Sequence, residues 1–297
     1  MDDIVRAVSH DYIFPAVIFS VMFGLGMAIN PGMIKDVLVR PRALVTGLAG
    51  QLIALPLLAF SVAALGPWSS LVALGLIVIA VCPGGSTSNA IVFAVRGDVA
   101  LSVTLTAFSS LLTLITIPIF LGIALQLWNA GMETVLLPAS RVVKSLLLMT
   151  ALPVALGMLL RWFAPGWAGR LLEPFRRASL VMLLSIISLI IYNSRGYISA
   201  EIGQIALASG ILVILVITSG WSLARAMRLN ESQSMTIAVE VGVQNTALAL
   251  YIGASLLGLP ELTVVAIAYG IINYLLIGAL IIGLRRARAR RDAVLEY

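Results

Sequence analysis

A carboxylate set inside an apolar stretch is the strongest chemical signal in this chain. Glu240 lies in Ala238-Val239-Glu240-Val241-Gly242-Val243-Gln244-Asn245-Thr246, flanked on both sides by runs apolar enough to span a membrane. An ionisable side chain at the centre of a bilayer helix costs roughly 2.5–3.5 kcal/mol on insertion scales, so it marks a functional site and needs a partner. Gly242 can loosen a helix at this point, and Gln244, Asn245 and Thr246 add three polar side chains in a row. We read the stretch as a discontinuous helix whose freed backbone and carboxylate hold a cation. The structural alternative is a glycine-kinked helix whose glutamate faces headgroups or an arginine.

A second interruption lies in the first half of the chain, at Cys82-Pro83-Gly84-Gly85-Ser86-Thr87-Ser88-Asn89. Pro83 lacks a donor and disfavours helix before it, and two glycines remove the remaining stiffness. Each break ends in a polar pair, Ser88-Asn89 in one and Gln244-Asn245 in the other. Paired interruptions in the two halves are the best sequence pointer to a transporter site at the bilayer midplane. Irregular backbone at that depth is tolerated only where it is buried or lines a cavity. Ser102 and Thr106 fall at i, i+4 on one helix face. Alone they read as ordinary helix–helix hydrogen bonding; beside the two breaks they can join Ser88, Asn89 and Glu240 around one ion. Gln51 can reach a second ion held by Glu240, Gln244 and loop carbonyls. These ligands are all oxygen, which suits Na⁺ or H⁺ and not a transition metal. The lone His10 is near the N-terminus and the lone Cys82 precedes Pro83, so no His or thiolate cluster is available.

The elements that must position these residues are membrane helices. Of 297 residues 61% are hydrophobic and 11% charged, against about 25% charged in soluble proteins. The long apolar runs do not alternate as barrel strands do. At about 20 residues per crossing, we expect nine spans. They run from Tyr12 to about Ile34, two across the uncharged stretch Ala43 to Val95, Val99 to about Trp128, Val142 to Leu160, Ala178 to Asn193, Ile202 to Leu223, Met235 to Leu257 and Leu262 to Leu284. Between the fifth and sixth we place a basic loop with Arg161, Arg170, Arg176 and Arg177. With the C-terminus inside, all but four of the 19 Lys and Arg (Arg6, Arg141, Lys144 and Arg195) fall on the inner side. That asymmetry orients the N-terminus outward and the C-terminus inward. The arginine tail after Leu284 then anchors topology at anionic lipid and is no nucleic-acid site. The acidic N-terminus lacks the basic region of a cleaved signal peptide, so the first helix is expected to stay.

The run from Cys82 to Asn89, the segment Arg96-Gly-Asp-Val-Ala-Leu-Ser-Val-Thr-Leu-Thr106 and the segment Glu240-Val-Gly-Val-Gln-Asn245 resemble the bile acid:sodium symporter family. The resemblance extends from Tyr12 to the last helix. It implies an all-α polytopic transporter in one unit over residues 1–297, with inverted repeats and two crossing broken helices. A core domain would cover approximately 43–130 and 202–284, with panel helices at approximately 12–34, 142–160 and 178–194. It implies one sodium site at Ser88, Asn89, Ser102, Thr106 and Glu240. A second maps to Gln51, Glu240, Gln244 and the carbonyls of Val241 and Val243. Substrate would sit by the crossover near Ser86, Thr87, Asn245 and Asn273. The pair Ser86-Thr87 departs from the family pattern and leaves the substrate open. The chain looks like a nine-helix bacterial member, in the cytoplasmic (inner) membrane.

The function expected is sodium-coupled uptake of an organic anion by alternating access. Two Na⁺ against one carboxylate leave +1 in a low-dielectric site, which a monoanionic substrate neutralises, so ion and substrate binding should be mutually favourable. A proton-coupled or efflux carrier of the related auxin and arsenite type is the alternative; a proton needs only Glu240. An enzyme would need a nucleophile with a base, or a metal motif, and the spans contain neither. A channel would not need paired broken helices.

Overall fold

The computed structural model describes residues 14–29, 32, 37, 41–85, 87–128 and 139–295, with side chains as far as 282. Apart from one two-residue bridge, the described residues form helices joined by short turns. In chain order these are α1 (Phe14–Ala28), α2 (Pro41–Leu65), α3 (Ser70–Ala80), α4 (Ser88–Ala94), α5 (Val99–Leu127) and α6 (Ser140–Phe163). Then follow α7 (Pro165–Asn193), α8 (Arg195–Ala226), α9 (Glu231–Gly242), α10 (Thr246–Leu256) and α11 (Pro260–Leu295). Among the described residues, six helices are long and apolar enough to cross a membrane: α2, α5, α6, α7, α8 and the Pro260–Ile282 part of α11. α3 and α10 are shorter because each is one half of an interrupted helix.

Local chemistry explains the helix boundaries. Ser69 caps α3 and Asp98 caps α5, each accepting from a backbone N–H three residues on. Asn230 and Gln233 form a reciprocal capping box at the start of α9. α2 and α6 each contain one wide π-helical turn, Gly50–Ala54 and Leu147–Ala151. Pro56 and Pro153 follow these turns by two residues. Proline lacks an N–H and clashes with the carbonyl four residues back, and a wider turn absorbs both defects.

The principal helix contacts fall into three sets. α1 lies mainly against α6 and α7, while α8 lies against α9 and α11, and α3 against α2 and α11. α1 and α6 touch backbone to backbone. A Cβ on Gly26 would stand 2.2 Å from the Val154 carbonyl oxygen, and one on Gly157 2.3 Å from that of Phe23. Without a hydrophobic force between helices in lipid, such small-residue contacts hold membrane helices together.

Several boundaries differ from the sequence reading. The expected basic loop at 161–177 is mostly helix: α7 begins at Pro165 and carries Arg170, Arg176 and Arg177 on its first half. Proline is well suited to a first helical turn, and the apolar run simply starts later than the helix does. For the same reason α8 begins at Arg195 and not near Ile202. The last helix continues past Leu284 to Leu295. The remainder of the first expected span, at 12–13 and most of 30–34, lies outside the described residues.

Candidate functional site

The site is built where the two interruptions meet. α3 stops at Ala80, and the chain runs irregularly until α4 starts at Ser88; α9 stops at Gly242, and α10 starts at Thr246. The two irregular stretches pair antiparallel at Gly84 and Gln244. The Gly85 N–H donates to the Val243 carbonyl at 3.0 Å, and the Asn245 N–H donates to the Pro83 carbonyl at 2.9 Å. Each break thus satisfies backbone groups that the other has freed, which an apolar interior requires. Glycine is needed at 85 for this approach: a Cβ there would lie 2.9 Å from the Gln244 carbonyl oxygen.

Glu240 lies beside this bridge and is fully buried. Its Oε1 accepts from Ser88 Oγ at 2.5 Å and from Ser102 Oγ, and its Oε2 accepts from Thr106 Oγ1 at 2.9 Å. The three hydroxyls come from α4 and α5, and Ser88 is 152 residues from Glu240 in the chain. Both salt bridges among the described residues belong to Glu173, so the carboxylate of Glu240 is met by hydroxyl dipoles and no arginine. The alternative of a structural arginine partner is absent there.

Each hydroxyl also has a second acceptor for its single proton. Ser88 Oγ lies 2.7 Å from the Gly85 carbonyl, Ser102 Oγ 2.7 Å from Asn89 Oδ1, and Thr106 Oγ1 3.1 Å from the Ser102 carbonyl. The protons can swing off the carboxylate without losing a hydrogen bond. The hydroxyl lone pairs then face the carboxylate side, a ligand set for a hard cation.

Gln51, carried on the π turn of α2, is buried with both amide atoms lacking a protein partner. A Cβ on Gly84 would lie 2.7 Å from Glu240 Oε2, 3.1 Å from Gln51 Nε2 and 3.3 Å from Thr106 Oγ1. Those three side chains therefore surround one small space. Gln244 donates through Nε2 to the Val241 carbonyl at 2.7 Å, while its Oε1 lacks a partner. The Val243 carbonyl is already engaged by Gly85.

The four residues expected at the substrate are placed differently from one another. Thr87 is exposed, shares a hydrogen bond with the Tyr274 hydroxyl at 2.8 Å, and lines a cavity of about 450 Å³. Asn245 is buried; its Oδ1 caps α10 on Leu248, and its Nδ2 points to the Met22 sulfur. Asn273 is buried and donates to the Gly242 carbonyl at 2.6 Å, an acceptor it shares with the Tyr269 hydroxyl. Ser86 lies outside the described residues. The cavity runs between α1 and the first half of α7 on one side and α4 on the other, lined among others by Leu25, Asn89, Phe93, Arg176 and Leu183. The sequence reading missed the arginine side of this cavity. The signal was the spacing of Glu173, Arg176 and Arg177, which at i, i+3 and i+4 fits one face of a helix.

Comparison with known proteins gives the family. The model of the Sodium Bile acid symporter family matches residues 15–201. The "Probable sodium/metabolite cotransporter BASS1, chloroplastic" of Oryza sativa subsp. japonica is 29% identical over 91% of this chain and 65% of its own length. The "Uncharacterized sodium-dependent transporter YocS" of Bacillus subtilis (strain 168) is 25% identical over 77% of this chain and 69% of its own. The "Ileal sodium/bile acid cotransporter" of Homo sapiens is 29% identical over 77% and 65%. The chain spans just under two thirds of the first of these relatives, 65%. All three bear the names of transporters and none that of an enzyme. With the family model covering well over half of its residues, this chain belongs to the sodium bile acid symporter family.

Proposed function

We propose that this protein is a secondary transporter that couples sodium entry to the uptake of an organic anion. The observation that carries the reading is the buried Glu240 carboxylate, held among the described residues by three hydroxyls, at the meeting of two broken helices. A carboxylate in a low-dielectric interior without a cationic side chain attracts an external cation strongly. One sodium is held by Ser88, Asn89, Ser102, Thr106 and Glu240. A second is held by Gln51, Glu240, Gln244 and the carbonyls of Val241 and Val243. The unpartnered amide of Gln51 and the unpartnered Oε1 of Gln244 support the second site. Gln244 serves it by turning its amide so that Oε1 faces the ion; the two amide ends have nearly the same shape.

The chain crosses the membrane nine times on this reading, counting α1 and the two interrupted helices with the six long ones, and the N-terminus is outside. α1, α6 and α7 form the panel, and the remaining helices form the core; the packing of α1 on α6 and α7 supports the division, and α6 meets the core through α5. The cavity at Thr87 and Asn89 opens beside the basic first half of α7, on the proposed inner side. It is the inward passage for substrate, whose acid group offsets the charge excess of two sodium ions. One net positive charge then enters per cycle and gains about 2.3 kcal/mol per 100 mV of inside-negative potential.

The test is uptake of a panel of organic acids, including a bile acid, into proteoliposomes with and without an inward sodium gradient. Sodium-driven, saturable uptake is expected. Uptake that follows a pH gradient and ignores sodium would instead establish the proton-coupled alternative.

A further inference from the structure

The cavity beneath the crossover has an unequal distribution of charge. Among the described residues, the charged side chains on its wall are Glu173, Arg176 and Arg177, all from the first half of α7. Glu173 Oε1 accepts from Arg177 Nε at 3.1 Å, and its Oε2 lies 3.8 Å from Arg176 Nη1. Two guanidiniums share one carboxylate, which leaves one positive charge in excess. The three side chains are more than half exposed, so this pairing is weak and easily exchanged. Guanidinium donors are arranged in a planar fork that matches an acid group in two-point fashion. The wall near them is mainly apolar, with Leu172, Leu180 and Leu183 beside Ser179 on the same helix and Phe93 opposite. A cavity of about 450 Å³ is within the usual range for a small organic ligand.

We propose that Glu173, Arg176 and Arg177 form an exchangeable docking point for the acid group of an amphipathic organic anion. Glu173 occupies the arginines when no anion is present, and the incoming acid takes its place while the apolar body lies on the leucines. This rests on the transport reading only in naming the anion as the transported one. The pair then selects for acids over their uncharged amides at the inner mouth.

The experiment places a cysteine at Leu183 in a Cys82→Ala background, in vesicles of phosphatidylcholine alone, so that anionic lipid is excluded. Labelling rates are compared for a sulfonate-bearing and a trimethylammonium-bearing methanethiosulfonate. With each rate normalised to that of free cysteine, the anionic reagent is expected to react about fivefold faster, because the two reagents feel one unit charge about 8 Å away in water with opposite sign. Glu173→Gln should widen the ratio, Arg176→Gln with Arg177→Gln should invert it, and the double lysine variant should keep its sign. A ratio indifferent to the arginines, or unchanged by Glu173→Gln, overturns the proposal. If phosphatidylserine added to the vesicles removes the bias, lipid headgroups and not soluble acids are the occupant, which also overturns it. A protein with this bias but no sodium-driven uptake would refute the transport reading alone; sodium-driven uptake without the bias would refute the docking point alone.

Discussion

At the scale of single residues, the behaviour of the site turns on where three hydroxyl protons point. Ser88, Ser102 and Thr106 each have one proton and two acceptors, one of them the carboxylate of Glu240. A cation beside that carboxylate favours the other acceptor in each case. Glu240→Gln keeps the shape and removes the charge, so the protein should fold but lose any rise in thermal stability on adding sodium. Stabilisation of that variant equal to the wild type's would refute Glu240 as the ion's anchor. Ser102→Ala and Thr106→Ala each delete one ligand of a charged group, worth roughly 1.5–3 kcal/mol. Each should raise the sodium concentration for half-maximal stabilisation by about tenfold or more. Titration of melting temperature against sodium measures both.

Among elements, the bridge between the two breaks and the close contact of α1 with α6 matter most. Gly84→Ala would push a methyl group into the space shared by Glu240, Gln51 and Thr106. We expect a folded protein whose sodium response is lost or much weakened, read by the same titration with chloride held constant. Gly26→Val instead drives side-chain atoms into the backbone of α6. Overpacking of this kind costs about 1–3 kcal/mol, so the melting temperature should fall while the sodium-dependent increment is preserved. A lost increment would mean that α1 and α6 are coupled to the ion site and do not belong to a separate panel. Asn230→Ala removes the cap of α9, the helix that carries Glu240, and should cost about 1 kcal/mol of stability.

For the whole molecule, the prediction concerns sidedness. The proposed topology places Pro67 outside and Gly169 inside, and both are exposed. Single cysteines at these positions, in a Cys82→Ala background, should react with an impermeant thiol reagent from opposite faces of the membrane. Labelling of both from one face would reject the nine-crossing arrangement. Uptake in vesicles should also quicken under an inside-negative potential, because the proposed cycle carries net charge inward.

Much of the element plan could be read along the chain, because its signals are local. Pro83 with Gly84 and Gly85 breaks a helix wherever it occurs, and Gly242 followed by Gln244 and Asn245 does nearly the same. A glutamate within an apolar run likewise declares itself without reference to any neighbour. The sequence alone therefore named Glu240 and the oxygen-bearing residues that the fold gathers on it. Where helices begin was less legible: α7 and α8 start within polar segments that carry no apolar period. Only the tertiary structure decided which polar groups meet. It set Ser88 against Glu240 across 152 residues, turned Asn273 under the Gly242 carbonyl, and brought Arg176 and Arg177 to a cavity wall. Hydrogen bonds and charge pairs act over a few ångströms in space, and distance along the chain does not encode them.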